Sequence, residues 1–226
     1  MLTLFRKDVR LNRLPIVVCI VLLLLPYFAA AFMMYRVYAP ELPSAATVGD
    51  YLATAAVFGL MLNIVAGGIA AGNSVACERM DGSAVFLACQ PVSRLQCLSS
   101  KAALVGLLIG GVWLVHCSVF YVIAPSLDKD SSPYMNLENP VIFAASALVV
   151  AVGAGWLASI LGRNPSMAIC AALAAAFLVP WLVYIGSFWL AIAPDDVVLL
   201  IRTVQWSVGV TTVVIGSCVY LRRVEP

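Results

Sequence analysis

Long apolar runs separated by short polar stretches dominate the pattern of this chain. Uncharged runs cover about residues 14–35, 51–75, 102–124 and 141–161, and a longer apolar stretch covers about residues 166–220. A helix needs roughly 20 apolar residues to cross a bilayer core about 30 Å thick. Since the last stretch is long enough for two crossings, the pattern predicts six membrane-spanning helices.

The first 13 residues mix basic and apolar positions at helical spacing. The apolar positions include Leu2, Phe5 and Val9, and the basic ones are Arg6, Lys7, Arg10 and Arg13. This spacing predicts a short amphipathic helix over residues 1–13 that lies on the membrane surface. A disordered basic start is the alternative.

The stretch from residue 166 to residue 220 allows two arrangements. One is a long span five, kinked at Pro180, followed by a tight turn. The other is a shorter span five followed by a re-entrant hairpin on the outer side over residues 181–196. Such non-helical backbone is tolerated at membrane depth only where protein or water covers it. The residues that interrupt the apolar pattern are Pro180, Gly186, Pro194, Asp195 and Asp196.

Basic residues concentrate on one side of the predicted spans. With the N-terminus inside, only Arg36, Lys129 and Arg202 of the 13 basic residues fall outside. Basic residues favour the cytoplasmic side of membrane proteins. The chain is therefore predicted to lie in the inner (cytoplasmic) membrane of the cell, multi-pass, with both termini cytoplasmic. The inner basic residues are Arg6, Lys7, Arg10, Arg13, Arg79, Arg94, Lys101, Arg163, Arg222 and Arg223.

Composition agrees with this pattern. Hydrophobic residues make up 63% of the 226 residues and charged residues 11%, whereas soluble domains carry about 25% charged residues. Six spans use most of the chain, so we expect an all-α, polytopic, single transmembrane domain over residues 1–226.

The sequence offers little for catalysis. Its one histidine, His116, falls in span three without an evident partner, and no Gly-Lys dipeptide supplies a P-loop. No acidic residue lies in mid-span, where an ion-coupled transporter usually carries one. The seven cysteines show no Cys-x-x-Cys and no paired Cys/His spacing. We therefore expect no enzyme activity, no metal and no cofactor. A membrane-bound enzyme would need groups that converge on His116.

The segment over residues 76–101 is the most polar internal stretch and is predicted to be a cytoplasmic loop. Asp81-Gly82 indicates a turn. Ser83–Cys89 is then predicted to form a short helix, which Pro91 ends.

The second half of this loop predicts the start of another helix. Ser93 and Gln96 have the spacing of a capping box. The helix that they begin is expected to run through Lys101 into span three. The loop would thus place a short helix between spans two and three, and a partner protein can bind that helix. An ordinary amphipathic loop on the lipid surface is the alternative.

This loop resembles the cytoplasmic loop of ATP-binding-cassette (ABC) exporter permeases of the type-2 class. The basic start over residues 4–13 resembles the N-terminal interfacial helix of that family, and the six spans extend the resemblance over the chain. The loop departs from the family at Ser83 and Ala84, where Thr and a longer side chain are usual. The matching residues are Glu78, Arg79, Gly82, Leu87, Pro91, Ser93, Arg94 and Lys101.

The resemblance implies a membrane-spanning permease subunit that works with a separate ABC ATPase subunit. A second permease chain, identical or a sister, would complete a dimer surrounded by membrane lipid; no nucleic acid is expected. Lipid, peptide, antibiotic and ion all remain open as exported substrates. A non-transporting membrane assembly or anchor subunit is the alternative function. The residues expected to couple to the ATPase are Glu78, Arg79, Asp81, Gly82, Phe86, Leu87, Pro91, Ser93, Arg94 and Lys101.

Overall fold

The structure, a computed structural model, describes residues 2–38, 43–82, 93–123 and 140–222. Over these residues the chain forms eight helices and no strand. The helices are α1 (Leu2–Leu11), α2 (Arg13–Tyr38), α3 (Ala45–Asn73), α4 (Ala76–Met80), α5 (Arg94–Ile123), α6 (Pro140–Leu161), α7 (Pro165–Trp189) and α8 (Pro194–Arg222).

Six of these helical segments are long and apolar enough to cross a membrane. α3 and α4 together form the second, over Ala45–Met80, and α2, α5, α6, α7 and α8 form the others. The predicted all-α, polytopic membrane fold is confirmed. The predicted short helix over Ser83–Cys89 lies outside the described residues.

Local capping explains where several helices begin. The hydroxyl of Ser93 accepts a hydrogen bond from the Gln96 backbone N–H, and the Gln96 side chain accepts one from the Ser93 N–H, both at 3.2 Å. This reciprocal capping box starts α5, which runs through Lys101 into span three as predicted. At α7, the Asn164 side chain accepts a hydrogen bond from the Ser166 N–H at 2.9 Å, and Pro165 takes the first helical position.

Residues 165–222, for which the sequence left two arrangements open, form two long helices joined by a short turn. α7 continues through Pro180 to Trp189, and a turn over residues 190–193 leads directly into α8. Ala191 in that turn has a φ of 51°. The backbone over residues 181–189 is therefore helical and continuous with the first part of span five. Proline is tolerated inside membrane helices because neighbouring groups satisfy the carbonyl that it leaves free.

The helix α6 lies at the centre of the bundle, against α3, α7 and α8. Of the 18 most apolar consecutive positions in each span, 61% are buried in span two and 56% in span four, but only 11% in span one and 17% in each of spans five and six. Spans one, five and six thus expose most of their apolar surface, which lipid covers in a membrane.

Small residues allow the central helices to approach closely. A Cβ added to Gly153 of α6 would lie 2.4 Å from the Gly209 carbonyl oxygen of α8. A Cβ added to Gly72 would lie 2.8 Å from the Ile169 backbone nitrogen of α7, and one added to Gly68 3.2 Å from the Ala172 Cβ. The Gly68-x-x-x-Gly72 pair therefore packs against span five, as small-residue faces do in membrane bundles.

Candidate functional site

Four charged side chains meet where α1 packs against the ends of spans two and three. Lys7 contacts Glu78 at 2.8 Å, and Lys101 contacts Glu78 at 2.8 Å and Asp8 at 3.5 Å. The Ser100 hydroxyl donates a hydrogen bond to Asp8 at 2.5 Å. We call these five residues, Lys7, Asp8, Glu78, Ser100 and Lys101, the ionic junction.

The ionic junction is buried and electrically balanced. Asp8 and Glu78 are each 4% exposed and Lys101 is 3% exposed, while the Lys7 side chain is 28% exposed. Two lysines oppose two carboxylates, so the formal charges sum to zero. Burying charges is tolerable only when they are paired and hydrogen-bonded. This balance of charge explains how three ionisable side chains can be buried in a mostly hydrophobic protein.

Backbone and amide hydrogen bonds extend the ionic junction. The Lys101 ammonium also donates to the Ser74 carbonyl, 3.1 Å away, in the turn between α3 and α4. The Asn73 side chain donates to the Asn12 side-chain oxygen at 2.9 Å, and Asn12 in turn donates to the Asp8 carbonyl at 2.8 Å. These contacts hold α1, the α3–α4 turn and α5 as one unit.

The neighbouring Arg79 extends this unit to the end of span four. Its guanidinium donates to the Ile160 carbonyl oxygen and, at 3.3 Å, to the Gly162 carbonyl oxygen. Both acceptors lie where α6 ends. A cation there complements the negative end of the helix dipole. Glu78 and Arg79, adjacent in sequence, therefore tie α4 to opposite sides of the bundle.

The predicted coupling residues have different surroundings. Glu78 and Lys101 are buried in the ionic junction, whereas Asp81, Ser93 and Arg94 are exposed. Gly82 has a φ of +77°, the left-handed conformation that suits the predicted Asp-Gly turn. Phe86, Leu87 and Pro91 lie outside the described residues.

Sequence reasoning missed Asp8, Ser100 and the role of Lys7. Asp8 is the single acidic residue among the first 13, and it shares an i, i+4 face with Asn12. That polar face lies against the bundle, while Arg6, Arg10 and Arg13 are exposed. A lone acid on the opposite side from the basic residues is the signal that indicates a buried partner.

A second polar contact lies deeper, between spans one, two and three. The His116 ring is fully buried, stacks on Tyr27 with centroids 5.5 Å apart, and shares a hydrogen bond of 2.9 Å with the Tyr27 hydroxyl. Asn63 donates to the Ile109 carbonyl at 3.4 Å, which fits the interhelical role expected of a mid-span amide. The histidine thus has a partner that the sequence did not indicate, and its contacts are those of a packed residue.

Among the described residues, no group of three or more His, Cys, Asp or Glu side chains is placed to hold a metal ion. The chain matches no protein-family model, no curated protein and no solved structure. Its function must therefore be argued from its own residues.

Proposed function

We propose that this chain is the membrane-spanning permease subunit of an ATP-driven exporter of the ABC type, and that a separate ATPase subunit drives it. The ATPase binds the cytoplasmic loop between spans two and three. Two permease chains, identical or paired with a sister chain, form the transmembrane path.

The observation that carries this proposal is the ionic junction. Segment 83–92 connects Gly82 to Ser93, so force applied to it reaches the bundle through α4 on one side and the start of α5 on the other. Glu78 of α4 and Lys101 of α5 are joined at 2.8 Å, and both contact α1. A partner that displaces segment 83–92 would therefore move spans two and three together with the N-terminal helix.

The distribution of charge supports the cytoplasmic placement of that segment. The ionic junction, Arg79 and Arg94 lie at one end of the bundle, together with the basic N-terminal helix. Positive charge marks the cytoplasmic side, where ATP and a P-loop subunit are found. These 226 residues contain no P-loop, and in this proposal a separate ATPase subunit supplies the energy.

We expect a P-loop ATPase to co-purify with the tagged full-length chain, and the double substitution Phe86→Ala/Leu87→Ala to reduce its recovery roughly tenfold, equivalent to about 1.4 kcal/mol of binding free energy. Aromatic side chains such as phenylalanine contribute strongly to interface energetics. Quantitative mass spectrometry of the purified complex measures the recovery. The melting temperature of the variant is measured on the same sample, so that unfolding is distinguished from loss of the ATPase contact.

Tyr35→Ala is the matched control, because Tyr35 is an exposed aromatic residue at the opposite end of the first span. It should leave ATPase recovery unchanged. If no P-loop protein accompanies the wild-type chain, the transport proposal fails. Recovery of a membrane partner without ATPase motifs would instead favour an assembly or anchor subunit.

A further inference from the structure

A cavity of about 480 Å³ opens between α5, α6 and α8. Its walls include Leu95 and Leu98 at the start of α5, Trp156 near the end of α6 and Val213 of α8. It therefore lies in the half of the membrane nearest the ionic junction. Its volume is within the range of about 300–1,000 Å³ that ligand sites have.

The walls offer an occupant almost no polar partner. Only two hydroxyl side chains line the cavity, those of Ser99 and Ser217. Ser99 donates to the Gln96 carbonyl at 3.0 Å, and Ser217 accepts from the Trp156 indole N–H at 3.3 Å. Both hydroxyls are thus already hydrogen-bonded within the chain. The part of any ligand that enters this cavity must be hydrocarbon.

The cavity exists because α5 presents glycine where a side chain would fill it. Gly106 and Gly110 both line the cavity, and a Cβ added to either would meet no atom within 4 Å. Nothing in the described chain occupies this space. At membrane depth, the molecules that supply hydrocarbon of this thickness are the lipids themselves.

Positive charge at the mouth indicates which lipid. Arg94 is the first residue of α5 and Arg222 the last of α8, and both are exposed. The two helices on either side of the opening therefore end in guanidinium groups at the level of lipid headgroups. Guanidinium binds phosphate through paired hydrogen bonds. Basic pockets between membrane helices are known to bind anionic headgroups.

We propose that this cavity is a binding site for one anionic phospholipid. Its acyl chain lies against Gly106 and Gly110, and its phosphate is bound by Arg222. The lipid would fill the gap between spans three and six and join two helices that otherwise contact each other little. This site does not depend on the transport function, because it requires only that the chain lies in a bilayer.

The test is lipid retention after purification from nanodiscs of phosphatidylcholine mixed with phosphatidylglycerol, measured by native mass spectrometry. We expect the wild-type chain to retain phosphatidylglycerol in excess of its share of the mixture. Gly110→Leu should reduce the retained phosphatidylglycerol several-fold, because the added side chain fills the cavity. Gly111→Leu is the matched control. A Cβ added to Gly111 also meets no atom within 4 Å, but Gly111 does not line the cavity.

The headgroup contact is tested separately with Arg222→Gln. This variant should lose the preference for phosphatidylglycerol over phosphatidylcholine while still retaining lipid. Equal retention by Gly110→Leu and the wild type would overturn the proposal, and so would equal losses in the two leucine variants. A change in oligomeric mass in Gly110→Leu without loss of lipid would also overturn it, because the cavity would then receive a helix of a second copy.

Discussion

Replacing Lys101 with methionine is expected to be strongly destabilising. The ammonium of Lys101 contacts both buried carboxylates of the ionic junction, Asp8 at 3.5 Å and Glu78 at 2.8 Å. Methionine keeps the length of the side chain but removes the charge, so Asp8 loses its ion pair with Lys101 while Glu78 keeps the one with Lys7. Breaking a buried pair in this way costs roughly 3–5 kcal/mol. The measurement is thermal or denaturant unfolding of the purified chain in detergent.

Arg10→Met is the matched control, because Arg10 is an exposed cation on α1 close to the ionic junction. A surface substitution of this kind changes stability by about 0.5 kcal/mol or less. Adding Glu78→Gln to Lys101→Met should restore part of the lost stability, because it removes one of the two carboxylates that have lost the Lys101 ammonium. Strict additivity of the two substitutions would contradict the ionic junction, since residues in one network show interaction energies of about 0.5–3 kcal/mol.

The second large effect is expected from Gly59→Ala, which should destabilise the protein although it adds only one methyl group. A Cβ at residue 59 would lie 2.1 Å from the Cε1 of His116 and 2.3 Å from its Nδ1. The imidazole would have to leave its stacked position on Tyr27, which costs about 1–3 kcal/mol for an overpacked core. Unfolding in detergent measures this loss of stability, and the Tyr27 hydroxyl would lose its partner at the same time.

Gly111→Ala provides the control for helix propensity. Nothing lies within 4 Å of a Cβ at residue 111, so this substitution should stabilise α5 by about 0.5–1 kcal/mol, the usual gain of alanine over glycine in a helix. In the double variant Gly59→Ala/His116→Ala, the alanine at residue 59 should cost much less than it does in the presence of the histidine. If Gly59→Ala behaves like Gly111→Ala, the packing of His116 on span two is refuted.

The six spans follow from the sequence because the bilayer imposes one simple requirement, a long apolar segment, on each. Helix starts at Ser93 and Asn164 were also predictable, since capping depends on residues two or three positions away. The helix of span two begins at Ala45, before the uncharged run that starts at Tyr51, because helices continue past the apolar core into the interfacial region. Asp50 therefore belongs to the helix, although its charge excluded it from the apolar run.

Only some members of the ionic junction could be predicted from the sequence. Glu78 and Lys101 stand out as charges at the ends of apolar runs, and the loop pattern includes both. Asp8 does not stand out in this way. Nothing within the first 13 residues specifies a partner such as Ser100, which is 92 residues away. Pairing at that range depends on how the helices pack. The same limit hid the contact between Tyr27 and His116.

The order in which the chain is made gives the ionic junction a further consequence. Lys7 and Asp8 leave the ribosome early, whereas Glu78 follows Lys7 by 71 residues and Ser100 follows Asp8 by 92. The N-terminal helix therefore cannot dock until the third span has been inserted, and the carboxylate of Asp8 stays hydrated until then. Its docking marks the completion of the first half of the protein, and a nascent chain stalled before residue 101 would still have this helix undocked.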